Sequence, residues 1–558
     1  MGIRCEFASG LSMSSHRVRD LKPAAVVVTV GGSMSKVKIS AGIAFRALAG
    51  TAALFTVSTA TYAADLPVKA KAVEYVRVCS LYGAGFYYIP GSDTCIKLGG
   101  YLRADGAIHT GGFYNGSYAS ASGANNRLTN YYQSRARQNL NIDTRTATEY
   151  GVVRTFFDAN YTWSSGTYTG AGTGGTAYST GAANTAGLTS VNGLSNDGIA
   201  GGSLGLNYAF IQFAGFTIGR AVSQFDAPWT NYPGNNFDQL VGGSGTATGV
   251  NQFTYTADFG QGITASISAQ DQALYQTTNL WNTSLSSASG VVGGSYGANS
   301  FGGLVAPDLV GMIRADQAWG MIQASVALHD NHAAYYGATE TSGHPDDKWG
   351  WAGQLALSIK NIPTGPGDTV NVQGVYSNGA SRYDFQSLAP TQFAMYGSSG
   401  NPAAYQSLGV AGVSDAVYST GNAMQLTTAY GFRGAFTHNW NPNWNTAIYG
   451  AWTAVSYNST AKSMICGSSS SSPGMLAVST AGLSCNPDFN ISQLGMITRW
   501  TPVKNLTFSA DVVYSHLDQK FSGLFNAGAA NAVAKPAGLY EAKDQDTVSM
   551  LLRAQRNF

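Results

Sequence analysis

The charged residues of this chain are sparse, and where they cluster they fall at every second position. In SRARQNLNIDTR, residues 134–145, Arg135, Arg137, Asn139, Asn141, Asp143 and Arg145 share one parity while Leu140 and Ile142 occupy the other. IKLGGYLRAD (96–105) sets Lys97, Arg103 and Asp105 against Ile96, Leu98 and Leu102, and GVVRTFFDAN (151–160) puts Arg154, Asp158 and Asn160 on one parity. A period of two belongs to a β-strand with one wet and one apolar face. Three neighbouring strands of this kind carry Lys97, Arg103, Arg135, Arg137 and Arg154 into one basic wall, although each of these taken singly reads equally as an ordinary solvated residue. The loop FDAPWTNYPGNNFDQLVGG (225–243) supplies the opposite sign through Asp226 and Asp238, with Pro and aromatic residues to stiffen it. Folded inward, it is expected to hold both carboxylates across a narrow gap from guanidinium groups that stay charged at any working pH. The standing field across such a gap orders dipolar solutes and filters ions without any covalent step.

Other chemical signatures fail on context. GGSYG (293–297) has the letters of a nucleophile elbow and GAGTGG (170–175) those of a dinucleotide fingerprint. Both lie in Gly/Ser/Thr-rich loops without the strand-then-helix setting that gives those strings meaning. His329 and His332 flank Asp330 and Asn331 at the mouth of a loop, where a solvated pair is the simpler reading than a metal site. No paired carboxylates and no triad stand out, so neither a catalytic site nor a cofactor is expected. Four of the five cysteines form two local pairs, Cys79 with Cys95 and Cys466 with Cys485, each enclosing a Gly/Ser-rich loop. With no CxxC and no clustered His, disulfides of an exported chain are the reading and zinc its competitor.

The elements that must position these residues are strands throughout. Composition sets the frame: 558 residues, 69 Gly, 31 Tyr, 24 Phe and 10 Trp, yet only 11% charged residues, well below the roughly 25% usual in soluble chains. Residues 34–63 place Lys36, Lys38 and Arg46 before an apolar run (47–57) and small residues at Thr61 and Ala63, the form of a secretory signal peptide. Residues 1–33 read as a start-site artefact or an added extension. Without residues 1–63 the chain loses seven basic and two acidic residues, leaving 24 basic against 27 acidic and no nucleic-acid footprint.

Sixteen alternating segments follow, starting near Ile96, Arg137, Gly151, Leu206, Phe216, Gln252, Ile263, Leu309, Met321, Trp349, Asp368, Leu426, Trp444, Asn490, Leu506 and Thr547. Tight turns alternate with long polar loops, and an even-numbered meander wired this way is expected to close as a transmembrane barrel, wet inside and apolar outside. Tyr150, Phe213, Phe216, Phe259, Trp319, Trp440, Trp444 and Trp500 gather at the short-turn rim, where a bilayer interface favours rings that are apolar at one end and wet at the other. TVSMLLRAQRNF (547–558) keeps the alternation to the last residue, as a final strand that pairs with the first must do. Arg556 breaks the apolar parity near the end, where a long basic side chain can reach the headgroups.

AADLPVKAKA (63–72), YGAGFYYIPGSDTCIKLGGYLRAD (82–105), FTIGRAVSQFD (216–226) and the terminal QRNF closely resemble the outer-membrane porins of alphaproteobacteria, over essentially residues 64–558. The resemblance implies a closed antiparallel sixteen-stranded barrel, a homotrimer in outer-membrane lipid, passive diffusion of small hydrophilic solutes and ions, and a third loop folded into the pore. It also implies that the barrel-assembly machinery reads Phe558. The expected order is thus extension (1–33), signal peptide (34–63), an N-terminal segment with a disulfide hairpin (64–95) and the barrel (96–558). A sugar- or anion-specific channel would call for an aromatic slide or a dense single-sign eyelet, and a barrel-anchored surface adhesin would keep its function in the long loops.

Overall fold

The computed structural model describes residues 77–108, 132–164, 203–246, 248–271, 277–467, 473–528 and 535–558. Segments 1–33 and 34–63, the GAGTGG string and most of the first two long loops lie outside the described residues. The strands run β1 (Cys95–Ile108), β2 (Tyr132–Thr148), β3 (Gly151–Ser164), β4 (Ser203–Phe213), β5 (Phe216–Ala221), β6 (Val250–Asp258), β7 (Ile263–Gln270) and β8 (Asp308–Gln317). They continue as β9 (Gly320–Asn331), β10 (Lys348–Lys360), β11 (Thr369–Asn378), β12 (Thr428–Asn441), β13 (Trp444–Ser456), β14 (Phe489–Val503), β15 (Leu506–Gln519) and β16 (Gln545–Asn557). Each pairs antiparallel with its neighbour in sequence, and β16 pairs back onto β1 from Tyr101↔Asn557 to Ile108↔Met550. These sixteen strands therefore close into a barrel, and the two-residue strand Tyr87–Tyr88 is added beside the first residues of β1.

Closure is finished at the C-terminus. The Phe558 amide donates to the Gly100 carbonyl at 3.1 Å, and a Cβ on Gly100 would lie 3.1 Å from the Phe558 ring. Arg556, on the apolar parity, turns its guanidinium to the Lys504 carbonyl in the adjacent turn, so its charge leaves the hydrocarbon by the shortest route. The short turns carry the backbone twist that two-residue hairpins need: Ala214 and Gly215 have φ of 48° and 86°, the left-handed pair of a type I′ connection.

The outer face divides by depth. Tyr150, Phe259, Trp319, Trp440, Trp444 and Trp500 are exposed at the short-turn rim, while Tyr161, Trp163, Trp349, Trp351, Tyr376 and Tyr430 form a second exposed ring near the loop ends. Between them lie outward aliphatic residues such as Leu355, Ile448 and Leu494. Two aromatic belts around an apolar band are what a bilayer imposes on a barrel.

The interior is less uniform than an all-aqueous lumen. The long loops after β7, β11 and β15 fold back as two four-stranded sheets, one joining Asn279–Asn282 to Ser414–Tyr418 and the other joining Gln406–Gly412 to Gly538–Ala542, and the loop after β13 adds two short helices, Ser459–Cys466 and Pro473–Val478. Their apolar residues, among them Trp281, Tyr296, Phe393, Leu408 and Tyr540, pack with the inward-facing Tyr449, Ile497, Val513, Leu517 and Leu551 of β13–β16 into one buried cluster. The loops were expected to be polar and the lumen wet all round; on the β13–β16 side both carry apolar side chains, and burying them against each other removes both from water. Gly293–Gly297 belongs to this dome, where Tyr296 packs edge-on against Trp281, so the string takes part in packing.

Replacing Leu355, at the middle of β10 and 66% exposed on the apolar band, by Arg is expected to destabilise the bilayer-inserted barrel by about 2–4 kcal/mol. Urea unfolding from phospholipid vesicles measures this, and a change within a few tenths of a kcal/mol would place that face outside the hydrocarbon.

Candidate functional site

The segment between β5 and β6, residues 222–249, folds into the barrel as a third loop. Its backbone is stapled to inward side chains of distant strands: Gln323 and Gln354 amides donate to the Asp226 and Phe225 carbonyls at 2.9 and 2.7 Å, and Asn371 donates to Pro233 at 2.7 Å. Farther along, Arg499 donates to Gly234 at 2.6 Å, Asp511 accepts from the Asn236 amide at 2.6 Å, and Gln493 accepts from the Val241 amide at 2.9 Å. Gly234 is required here, since a Cβ would stand 2.5 Å from that of Ala435. A loop buried in protein must place all its backbone polar groups, and the Gln/Asn/Arg parity of β9–β15 supplies the partners.

The loop leaves a polar cleft of about 380 Å³ against β1–β4, lined on the wall by Tyr101, Arg103, Arg137, Asn139, Asp158, Asn160, Asn207 and Tyr208, and on the loop by Thr230, Tyr232 and Asp238. Arg103 stacks over the Tyr101 ring at 4.4 Å and donates to Gln555 at 2.8 Å; Arg137 donates to Thr162 at 3.0 Å. Arg103 and Arg137 stand directly opposite each other in the β1–β2 ladder. Like charges so placed destabilise an ordinary sheet, which makes their presence on an aqueous wall informative. Across the gap the Tyr232 hydroxyl donates to Asp238. Burial first and the Asp238 carboxylate second push the Tyr232 pKa far up, so its ring presents a neutral hydroxyl.

Not every residue of the expected wall reaches the cleft. Arg135 is buried behind it, 2.5 Å from Asp105, which also holds Arg553 at 2.7 Å. Arg154 lies three residues from the β2–β3 turn and shares Asp143 with Arg145, both at 3.0 Å. Lys97 sits at the same end with its ammonium 5.8 Å above the Phe86 ring. These three were expected at the constriction; a parity fixes the face of a residue but not its height along the barrel or the partner that claims it. Asp226 is also displaced: its carboxylate accepts from the Thr246 amide at 2.5 Å and from the Ser244 and Thr246 hydroxyls, and it is buried at the loop's base. Asp238 alone of the two loop carboxylates faces the cleft.

Sequence reasoning missed Asn207 and Tyr208. Register slips between Asp158 and Ala159 opposite them, a β-bulge that turns both side chains inward, where Asn207 donates to Asp158 at 2.6 Å. Leu204 and Leu206 face out before the bulge and Ile211 after it, a break in alternation that was present to be found. His329 is not solvated either: it is buried, its Nδ1 lies 2.8 Å from Asp308, and Tyr383 of the loop after β11 donates to the same carboxylate at 2.6 Å. Both cysteine pairs are disulfides, Cys79–Cys95 and Cys466–Cys485.

Residues 65–551 match a family model described as the porin subfamily. The chain belongs to this porin family. It is an outer-membrane porin, a diffusion channel. Porin Omp2b of Brucella abortus is 29% identical over 323 residues, covering 56% of this chain and 78% of that protein, and Porin Omp2b of Brucella canis is 28% identical over 327 residues with the same coverage. The outer membrane channel DcaP of Acinetobacter baumannii shares the fold at a TM-score of 0.50 and 14% identity, over 84% of this chain and 99% of that one.

Two predictions test this geometry. Arg135→Met in this porin leaves Asp105 with Arg553 as its remaining guanidinium partner, so it is expected to cost roughly 2–4 kcal/mol of unfolding free energy while leaving the reversal potential in a salt gradient unchanged. A large selectivity shift would place Arg135 on the pathway. The second concerns Asp384, in the loop after β11, whose carboxyl is pushed up to about 7 by burial against the opposing pull of the Thr453 hydroxyl and Arg433. A carboxyl that resists ionising in the fold but ionises freely near pH 4 when unfolded contributes stability that is complete below about pH 4 and is lost as pH rises toward 7. Amides around residues 240–245 are therefore expected to show lower protection at pH 8 than at pH 5.5 after correction for intrinsic exchange, and Asp384→Asn is expected to abolish the difference.

Proposed function

We propose that this porin passes small hydrophilic solutes and ions passively through the cleft between loop and wall, with Arg103 and Arg137 on one side and Tyr232 and Asp238 on the other. The observation that carries the reading is the meeting of these four residues around one polar cleft. Two guanidinium groups and the carboxylates of Asp158 and Asp238 give the lining both signs, which favours polar solutes of either charge over a single ion. The basic residues below it, Arg145, Arg154 and Lys97, continue the polar surface toward the short-turn rim, where the disulfide hairpin at Cys79–Cys95 packs its Phe86 ring 4.9 Å from the Arg145 guanidinium. The same reading takes residues 34–63 as the export signal, a homotrimer in outer-membrane lipid as the working assembly, and Phe558 as the residue read by the barrel-assembly machinery.

Protein lacking residues 1–63, reconstituted in a planar bilayer, is expected to conduct in steps grouped by three; a silent bilayer would favour an adhesin role for the loop dome. Arg103→Ser combined with Arg137→Ser is expected to move the permeability ratio toward cations by several-fold, on the order of what removing two charges from a confined aqueous cleft produces. An unchanged reversal potential would remove both residues from the constriction.

A further inference from the structure

Arg433 lies on β12, on the far side of the third loop from the cleft, and is fully buried. Its guanidinium donates to the Leu240 carbonyl at 3.0 Å, to the Thr230 carbonyl at 2.5 Å, to the Ser244 carbonyl, and through Nε to Gln373 at 3.0 Å. Thr230 and Leu240 bracket the stretch that carries Tyr232 and Asp238. One planar fork therefore fixes both ends of the segment facing the cleft, together with Ser244 in the stretch that leaves it. Gly242 runs so close beneath that a Cβ would meet the Phe432 carbonyl at 2.3 Å.

The loop after β11 closes on the same point. Its Gln386 amide also donates to Leu240, its Ser387 hydroxyl donates to Gly245 at 2.8 Å, and its Asp384 carbonyl accepts from the Gly243 amide at 2.9 Å. The buried Arg433 charge is faced by two carboxyls, Asp226 of the third loop and Asp384 of the sixth. Thr453 of β13 donates to Asp384, while the Asp384 Oδ1 is buried with no hydrogen-bond partner among the described residues. An isolated buried guanidinium is costly, and breaking one partner of such a set is strongly unfavourable. Arg433 thus has no low-energy alternative to the position in which both loops meet it.

We infer that Arg433 is the positioning residue of the constriction: it locks the third and sixth loops into one body, and the width of the cleft is set from behind, by a residue that solutes do not touch. The inference rests on the reading of the cleft as the solute path. Lysine cannot replace it, because an ammonium on a flexible stem does not reproduce a fork that bonds three carbonyls and an amide oxygen in fixed directions.

Hydrogen exchange on the wild-type porin in detergent micelles tests the lock without relying on conductance. Amides of residues 231–246 and 381–387 are expected to open as one unit with a common protection, and independent, faster opening of the third loop would overturn the inference. Arg433→Lys and Arg433→Met are expected to raise exchange across residues 231–246 by roughly 10-fold to 100-fold, the loss of one or two charge-assisted hydrogen bonds, and to increase open-channel current noise and mean conductance. In both, the barrel still migrates as a folded species on unheated gels. Folded variants with wild-type exchange and noise would overturn the proposal. Should Arg433→Met not fold, Arg433→Lys and the wild-type measurement decide it. Increased exchange with unchanged conductance would keep the lock and refute the cleft as the path, which separates the two failures.

Discussion

Hydrocarbon offers no partner for a peptide group, so each N–H and C=O in the membrane has to be paired inside the sheet. This single requirement explains the closed sheet, the ladder between β16 and β1, and a C-terminal residue whose amide is still engaged. It also explains the charge economy of the outer face. Where Arg556 violates the apolar parity, it does so next to a turn carbonyl that it can reach.

The same accounting governs the inside, with different partners. A loop that enters the barrel leaves bulk water, and the third loop meets its obligations through the Gln, Asn and Arg side chains that β9–β15 turn inward. What those side chains leave free, apolar packing completes: Phe237, Leu240 and Val241 join the dome and the apolar inward residues of β13–β16 in one cluster. The barrel is consequently filled asymmetrically. Its solid half supports the loop, and the cleft lies on the other side, along β1–β4. The guanidinium pair opposed across β1 and β2 lines that cleft, with Arg103 stacked on Tyr101 and bonded to Gln555 and Arg137 bonded to Thr162.

The strands were legible to within a few residues because one face of each meets lipid and the other does not. Segments expected to start at Gly151, Phe216, Ile263, Trp444 and Leu506 start there. The exceptions have local causes: β2 begins at Tyr132 and not Arg137 because its upper part continues past the apolar band, and β4 hides a bulge that reverses its parity. The basic wall was legible as a face and not as a site. Arg103 and Arg137 reach the cleft, whereas Arg135, with the same parity two residues away, is taken by Asp105.

Alternation, turn spacing, the cysteine pairs and the terminal aromatic were enough to determine a closed barrel in an outer membrane, because solvent on one side and lipid on the other write a period of two into each strand. Only the tertiary structure decided which loop carboxylate lines the cleft, since Asp226 and Asp238 have equal claims in sequence and Asp226 is held away by the Ser244 and Thr246 hydroxyls and the Thr246 amide. It alone revealed Arg433, whose importance lies in carbonyls up to 203 residues away. Backbone oxygens carry no sequence signature, so a residue that acts on them is invisible until the chain is folded around it.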